Sequence, residues 1–394
     1  MRSNERTFRC VVDTGSKTIG IVSSYYLPHL GGVEQYTDGL ATALAAQGHR
    51  VIVLTCAVTA EPGIERREDG VEICRIPAQN MKDRLPLPKS GFKSSGAWRY
   101  AASVSYDGII VNTRLYPLSL HGVQLACEKG ITPVVIEHGS GELSVGNAVV
   151  DVAFHRYEHR LFKRIAAHGP RWCGVSQKAA EWLSDLGVKA EGVIPNAIGA
   201  EAFRSQASGR DFRSELGIAE NAPLVAFTGR LIREKGVWTF AEVAAFLKGR
   251  TSDAHFVIAG EGPERARLEG EIGANVHLVG RLERSDVSAL LQQADVFCFP
   301  SMYPEGLPTS LLEAAVSRAY IISSDVAGAC DVIPDESCGT VLADASAERF
   351  AHAVQVALDS PEEARQAAKN CCAHVEQHLS WEASAAAALG ICLR

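Results

Sequence analysis

The 394-residue sequence lacks the patterns that mark a membrane-spanning, secreted or zinc-binding protein. No run of about 18 consecutive apolar residues could cross a bilayer, and the first ten residues carry three arginines rather than an apolar signal sequence. The eleven cysteines are scattered, odd in number and without a C-x-x-C pair, which argues against a disulfide framework and a zinc ribbon. These absences predict a cytoplasmic protein.

Three functional signals are also missing. There is no G-x-G-x-x-G fingerprint, so the sequence lacks the main motif that would indicate a nicotinamide-dependent enzyme. There is no D-x-D sequence, which is consistent with a site that binds phosphates without Mg²⁺. No basic stripe with interleaved aromatic residues occurs, so we expect no nucleic acid partner.

The composition that remains is that of an ordinary globular protein, with 46% hydrophobic and 22% charged residues, and the length favours two domains. The net charge of −7 is unevenly divided. Residues 1–200 hold 22 Lys/Arg and 19 Asp/Glu, a balance of +3, which leaves 17 and 27, or −10, for residues 201–394. This asymmetry arises by chance or because one half faces an anionic surface.

The spacing of apolar runs predicts two doubly wound parallel sheets. In the first βαβ unit, Gly48 is the expected left-handed residue after the helix. Residues 60–99, rich in Pro, Lys and Arg, look like a long excursion, and residues 200–221 look like a polar connection. The predicted elements are strand 18–24, helix 33–47 and strands 51–55, 108–112, 133–137, 171–175 and 192–196, then strands 224–228, 255–259, 276–279, 296–300 and 320–323 of the second sheet.

Gly31 and Gly32 lie between the first predicted strand and the first helix. Paired glycines let the backbone approach a ligand, and the helix start offers unpaired N–H groups to an anion. The same pair is also compatible with a tight turn that binds nothing.

Arg230 and Lys235 follow the first strand of the second sheet. They could converge on a diphosphate, Arg230 through its planar fork and Lys235 as a point charge, and so neutralise a leaving group without a metal. Taken alone, two cations near a helix start are more often part of a solvated surface.

Residues 305–313 follow a predicted buried strand and open a helix near Pro308. The N–H groups around Thr309 would lie at the positive end of this helix, where phosphate oxygens could dock. Glu313, one turn into the helix, could bind the two hydroxyls of a ribose, and Glu305 could face a sugar.

In this order the three motifs resemble those of retaining glycosyltransferases of family 4, over roughly residues 18–394. The resemblance implies an α/β GT-B fold, in which two Rossmann-like doubly wound parallel-sheet domains face a central cleft. It implies an N-terminal extension 1–17, an acceptor-binding domain 18–198, a nucleotide-sugar-binding domain 199–378 and a C-terminal helix 379–394 that packs on the first domain. Further shared landmarks are residues 48–53, 137–139, 174–176, 194–196, 260–263 and 379–382.

The resemblance also implies residue roles. Arg230 and Lys235 would bind the diphosphate of a nucleotide sugar, and Glu313 its ribose. Glu305 and His138 would line the pocket of the donor sugar. The implied catalytic residues are therefore Arg230, Lys235, Glu305 and His138, and the implied donor-binding residues, with the backbone around Arg281 at the base, are Gly31, Gly32, Asn196, Arg281, Gly306, Leu307, Pro308, Thr309 and Glu313.

The implied reaction is a front-face displacement with retention, in which the leaving diphosphate deprotonates the incoming hydroxyl. Paired cations and a helix N-terminus would stabilise that phosphate in a closed cleft, so neither a metal nor a cofactor is expected besides the donor. Ala197 in place of a glycine, and residues 327–331 in place of Gly-Gly and a glutamate, depart from the family pattern and leave the donor sugar open.

The acceptor side lies in residues 137–141 and 151–165. The Glu-His-Gly-Ser-Gly sequence of the first segment is similar to that of enzymes that extend lipid-linked saccharides for cell-surface polysaccharide, which implies a saccharide acceptor, lipid-linked or free. The second segment places Arg156, Arg160 and Lys163 beside apolar residues. This pattern suits peripheral contact with the anionic inner face of the cell membrane, or simply the solvated face of a core helix.

Two other functions are compatible with this scaffold. A sugar-nucleotide epimerase or isomerase would need an acid/base pair at the sugar and no acceptor pocket. A non-catalytic subunit of a polysaccharide assembly complex would not need the intact 305–313 motif. Arg230 and Lys235 together with Glu305 and Glu313 favour transfer, while pocket shape decides base, sugar, acceptor and linkage.

Overall fold

The computed structural model describes residues 15–29, 31–81, 85–141, 148–249, 253–326 and 328–394. Most of the expected N-terminal extension, residues 142–143 of the loop after the Glu-His-Gly sequence, and Ala327 of the divergent segment lie outside these residues. The described chain folds into two parallel α/β units.

The first sheet is parallel except where strands Gly63–Arg66 and Leu85–Pro88 pair in antiparallel fashion with strand Glu72–Met81. Its inner strands are apolar on both faces because helices cover both: the adjacent Ile21 and Val22, which point to opposite faces, are 0% and 2% exposed. The strand order is β3-β4-β2-β1-β6-β7-β8-β9. The strands are β1 (Thr18–Val22), β2 (Arg50–Ala57), β3 (Gly63–Arg66), β4 (Glu72–Met81), β5 (Leu85–Pro88), β6 (Gly108–Asn112), β7 (Val134–Glu137), β8 (Arg171–Gly174) and β9 (Ala190–Val193), and the helices are α1 (Gly32–Ala46), α2 (Gly96–Ser103), α3 (Pro117–Glu128), α4 (Ala148–Ala166) and α5 (Gln177–Asp185).

The expectation of a long excursion over residues 60–99 is wrong. Strand β4 pairs in parallel with β2, from Ile52 opposite Glu72 onward, and so extends the first sheet. Glu72 is only 6% exposed because its carboxylate accepts a hydrogen bond from Arg50 Nε at 2.8 Å. A charged side chain can be buried in such a strand only with a partner, and the partner of Glu72 is Arg50 on another strand. The sequence around Glu72 alone therefore did not indicate a buried strand.

The second sheet is entirely parallel, in the order β12-β11-β10-β13-β14-β15. The five predicted strands are confirmed within one residue at each end, whereas β15, a three-residue edge strand, was not predicted. The polar connection 200–221 contains two short helices. The strands are β10 (Leu224–Thr228), β11 (His255–Ala259), β12 (Val276–Gly280), β13 (Val296–Phe299), β14 (Tyr320–Ser324) and β15 (Thr340–Leu342), and the helices are α6 (Ala200–Ser205), α7 (Phe212–Glu215), α8 (Val237–Leu247), α9 (Arg265–Glu271), α10 (Arg284–Gln293), α11 (Thr309–Val316), α12 (Ala329–Val332), α13 (Ala347–Asp359), α14 (Pro361–His378) and α15 (Trp381–Cys392).

Helix α15 returns from the second unit to the first. The ring of Trp381 lies so close to Gly39 of α1 that a Cβ at Gly39 would be 2.2 Å from it. Ser384 Oγ donates to the carbonyl of Pro195 at 2.8 Å, and Arg171 of β8 donates to the carbonyl of Ile391 at 3.1 Å. The last helix thus fastens the chain end to the first sheet. Over the described residues, no helix has the length and apolarity needed to cross a membrane.

This contact predicts that Gly39→Ala destabilises the fold by about 1–3 kcal/mol, because the added methyl group collides with the Trp381 ring. Gly390→Ala, in α15 itself, is the matched control, since a Cβ there meets no atom within 4 Å. The control should stabilise the protein by about 0.5–1 kcal/mol through helix propensity alone. Urea denaturation measures both, and an unchanged midpoint for Gly39→Ala would contradict the packing of α15 on α1.

Candidate functional site

The carboxyl ends of the two sheets meet at a cleft. Strand order reverses between β1 and β6 in the first sheet and between β10 and β13 in the second. Ligands of open parallel sheets bind outside the carboxyl ends of the strands at such reversals. A cavity of about 860 Å³ occupies this position and is lined by both units. Of the predicted donor-binding residues, Gly31, Gly32, Asn196, Arg281, Thr309 and Glu313 line it.

Helix α1 begins at the wall of this cavity. Gly31 has an extended backbone, and a Cβ there would lie 2.3 Å from Oε2 of Glu34, so the glycine makes room for that carboxylate. Glu34 is buried, with His29 Nδ1 at 3.1 Å from its Oε1. A Cβ at Gly32 would meet no atom within 4 Å. Since N-cap Gly31 has no side chain to cap the helix, the first N–H groups suit an anion.

Helix α11 begins on the opposite wall, with Pro308 as its N-cap residue. Glu313 lies one turn into the helix, and its side chain is 15% exposed. Burial raises the pKa of Glu313 to about 7, opposed by the Arg284 guanidinium, whose Nε lies 4.0 Å from Oε1. Near neutral pH this carboxyl can therefore either accept or donate a hydrogen bond.

Lys235 and Glu305 contact each other directly, and neither belongs to the lining of this cavity. Gly236 brings them together: its φ of +74° is left-handed, and a Cβ would lie 2.0 Å from the carbonyl oxygen of Pro300. Only glycine allows the loop after β10 to approach the end of β13 so closely. Burial lowers the pKa of Lys235 to about 8, and the positive charge of Arg230 adds to this effect. Arg230 itself is exposed.

His138 follows β7 and is oriented by a chain of hydrogen bonds. Its Nε2 lies 3.1 Å from Oδ1 of Asn112, whose Nδ2 donates to Thr37 Oγ1 at 2.7 Å. Because an amide oxygen only accepts, Nε2 carries the proton and Nδ1 is left as an acceptor. The ring of Tyr36, which lines the cavity, packs edge-on against His138 at 4.7 Å. Burial lowers the pKa of His138 to about 3, so the ring is neutral.

The backbone of residues 305–307 touches the first unit across the cleft. Gly139 forms a bridge with Glu305, and Ser140 Oγ donates to the Glu305 carbonyl at 2.6 Å. A Cβ at Gly306 would lie 2.5 Å from the carbonyl oxygen of His138. Asn196 Nδ2 donates to the Leu307 carbonyl at 2.9 Å. Gly306 and Leu307 therefore take part in the contact between the units.

Sequence reasoning missed three side chains that shape this site. Asn112 orients His138, Ser140 holds the backbone of Glu305, and Arg284 lies beside Glu313. Asn112 and Ser140 follow or end strands of the first sheet, which is the signal that could have found them. Arg284 opens α10 only three residues after the predicted Arg281.

Two doubly wound sheets that face a cleft, with a last helix returning to the first sheet, define the GT-B fold of glycosyltransferases. Sucrose-phosphate synthase from Thermosynechococcus elongatus has the same fold, with a TM-score of 0.74 and 23% identity over 95% of this chain and 98% of that one. The predicted fold class is confirmed.

Two family descriptions match consecutive parts of the chain, "Glycosyltransferase Family 4" over residues 30–201 and "Glycosyl transferases group 1" over residues 209–372. The chain belongs to the group 1 glycosyltransferases of the family 4 type.

Two relatives show the range of this family. One subunit of human phosphatidylinositol N-acetylglucosaminyltransferase is 25% identical over 82% of this chain, which spans 65% of the human protein's length. The GDP-mannose-dependent alpha-(1-6)-phosphatidylinositol dimannoside mannosyltransferase of Mycobacterium tuberculosis is 26% identical over 93% of this chain and 94% of its own length.

The environment of Glu313 predicts a pH-dependent stability. Burial raises its pKa from 4.5 to about 7, so the native state binds this proton more tightly than the unfolded chain. The resulting stabilisation is complete below the unfolded pKa and is lost as pH rises through 7. Between about pH 5 and pH 8, the stability of the wild type relative to Glu313→Gln should fall by roughly 2–3 kcal/mol, as measured by urea denaturation.

Glu215→Gln is the control for this titration. Arg210 lowers the pKa of Glu215, so its contribution does not change over the same interval and the difference from the wild type should stay flat. A flat profile for Glu313→Gln as well would show that Glu313 is not buried in a cleft of low polarity.

Proposed function

We propose that this glycosyltransferase moves a hexosyl group, with retention and without a metal, from a nucleotide-diphosphate sugar to a hydroxyl of a lipid-linked saccharide. The observation that carries the proposal is the cleft cavity, whose lining includes the first residues of both α1 and α11. Two helix N-termini at one cavity suit a diphosphate.

The donor would lie along the second unit. Arg230 and Lys235 would neutralise its diphosphate, and the backbone around Arg281 would hold its base. Glu313 would bind the ribose hydroxyls. With a pKa of about 7, its carboxyl can accept a hydrogen bond from a hydroxyl when ionised and donate one when protonated. Glu305 would bind the donor sugar, and its contact with Lys235 supports this role because it would bring the sugar next to the phosphate that leaves it.

The chemistry assigned to these residues is electrostatic. Neutral His138 presents Nδ1 as an acceptor for a sugar hydroxyl and cannot act as a cationic acid. Glu305 contacts Lys235 and is assigned to binding the sugar. We assign no enzyme nucleophile. The leaving diphosphate takes the proton of the incoming hydroxyl on the same face of the sugar, which gives retention. Cations and helix dipoles replace the charge that a metal would supply.

The acceptor proposal rests on the relatives and on α4. The two relatives described above are named for phosphatidylinositol and phosphatidylinositol dimannoside. On α4, Leu161 and Ile165 are buried in the core of the first sheet, whereas Arg160 and Lys163 are exposed. This surface would attract the anionic inner face of the cell membrane by charge alone. The enzyme would act there in the synthesis of a cell-surface polysaccharide or glycolipid.

A panel of UDP-, GDP- and ADP-sugars tests the donor site, with binding and slow hydrolysis measured in EDTA. We expect at least one donor to bind and to release its nucleoside diphosphate. If EDTA abolishes binding, the metal-free mechanism fails; if no donor binds, the donor site is wrongly assigned. Conversion to another nucleotide sugar without release of the diphosphate would indicate an epimerase or isomerase instead.

Two variants separate the assigned roles within the same assay. Glu313→Ala should weaken nucleotide affinity about 10-fold or more, because a buried hydrogen bond to a carboxylate is lost. Glu305→Ala should lower turnover about 100-fold with little change in nucleotide affinity, because it acts at the sugar. Glu271→Ala, exposed and paired with Arg267 at 2.8 Å, should change neither quantity. Equal and negligible effects of the first two variants would refute their roles.

Flotation with liposomes tests the membrane contact. The protein should float with vesicles that contain phosphatidylserine at low salt and should be released at about 0.5 M NaCl, because surface charges are then screened. Arg160→Glu/Lys163→Glu should weaken flotation, whereas reversal of two exposed charges far from α4, Arg365→Glu and Lys369→Glu, should leave it intact. Absence of binding at low salt would overturn this part of the proposal.

A further inference from the structure

We propose that Glu137, held by Arg114, is a positioning residue that fixes His138 and Glu305 relative to each other across the cleft. The inference rests on the proposed function for its catalytic consequence. Glu137 itself touches no part of the cavity described above.

Glu137 controls the backbone turn that follows β7. Its side chain is 3% exposed, and its Oε1 accepts hydrogen bonds from the backbone N–H groups of His138 at 3.2 Å and Gly139 at 3.3 Å. Parallel strand pairing ends at this point, so the carboxylate replaces the partners that a neighbouring strand would have supplied. Glu137 therefore holds the start of the turn from within the first unit.

That turn carries both halves of the expected sugar site. His138 projects from it toward Asn112 and Tyr36, and its carbonyl oxygen packs against Gly306. Gly139, the next residue, bridges to Glu305. Because the two residues that make these contacts are the ones whose N–H groups Glu137 binds, a shift of this carboxylate would move His138 and its contact with Glu305 together.

Arg114 keeps the carboxylate in place. Its Nε lies 3.5 Å from the other Glu137 oxygen, Oε2, and its guanidinium stacks 4.8 Å from the ring of Trp182. Arg114 is 5% exposed, and Oε1 of Glu158 on α4 lies 3.9 Å from its Nη1. The guanidinium is thus buried between two carboxylates and an aromatic ring.

The backbone before Arg114 is also unusual. Thr113 has a φ of +62°, a left-handed conformation that disfavours a β-branched residue. Its N–H donates to the carbonyl of Ile136 in β7 at 2.8 Å, which ties it to the same strand end as Glu137. Such conformations persist where the surroundings determine them, and they concentrate at functional sites.

Stability alone does not account for this arrangement. Burial raises the pKa of Glu137 and the Arg114 charge lowers it, so the pair is retained against a desolvation cost. Buried ion pairs are often no more stabilising than apolar residues of the same size. A role in orienting the turn explains why charge is kept there.

The test is Glu137→Gln, which keeps the shape of the side chain but turns an amide N–H₂ toward the Arg114 guanidinium. In ¹⁵N-histidine spectra of the full chain, His138, identified by its loss in His138→Gln, should change from the single Nε2–H tautomer to a mixed or broadened signal. Donor hydrolysis should fall about 10- to 100-fold, as expected for a misplacement of about 1 Å, while nucleotide affinity changes less than about twofold.

Glu72→Gln is the matched control, because Glu72 is 6% exposed and ion-paired with Arg50 in the same sheet, away from the cleft. It should lower stability but leave the His138 signal and turnover unchanged. If Glu137→Gln does not fold, Arg114→Lys, which keeps the charge but not the stacking, should shift the His138 signal in the same direction.

A wild-type His138 signal in either folded variant, or equal effects from Glu72→Gln, would overturn the proposal. If the wild type hydrolyses no donor, the proposed function fails, but the His138 spectrum still decides whether Glu137 positions the turn.

Discussion

The backbone contact between the turn after β7 and residues 305–307 is the constraint on which the site depends. It joins the carboxyl ends of the two sheets at the point where a donor sugar is expected, and it combines a backbone bridge with hydrogen bonds from the Ser140 hydroxyl and the Asn196 amide to backbone carbonyls. Gly306 is required because any larger residue would collide with the His138 carbonyl, so its place in the motif has a steric cause besides ligand approach.

Around this contact, burial sets the protonation of the expected donor site. The same desolvation that raises the pKa of Glu313 lowers those of Lys235 and His138. The result is a cleft that holds a neutral imidazole, a carboxyl that titrates near pH 7 and a Lys235 whose charge is supported by contact with Glu305. Anionic substrates gain most where such cations and helix starts are partly shielded from water.

Most strands of both sheets could be predicted from sequence because apolar runs of parallel strands are local signals, and Gly48 is confirmed as the left-handed residue after α1. Strand β4 could not, since its Glu72 depends on a partner contributed by β2. In the site, too, local features could be predicted and long-range contacts could not. Glycines beside strand ends were visible in sequence, whereas the orienting roles of Asn112 and Ser140 arise from contacts with residues distant in the chain.

The amphipathic pattern of helix α4 is explained in part by its packing on the first sheet. Its apolar residues Leu161, Phe162 and Ile165 pack into the core beneath the first sheet and are not available for insertion into lipid. Its exposed basic residues, among them Arg160 and Lys163, are groups that an anionic membrane would attract, and salt screens an attraction of this kind. Glu158 on the same helix lies 3.9 Å from Arg114, and Arg114 lies 3.5 Å from Glu137, so a buried chain of ion pairs runs from α4 to the turn that carries His138.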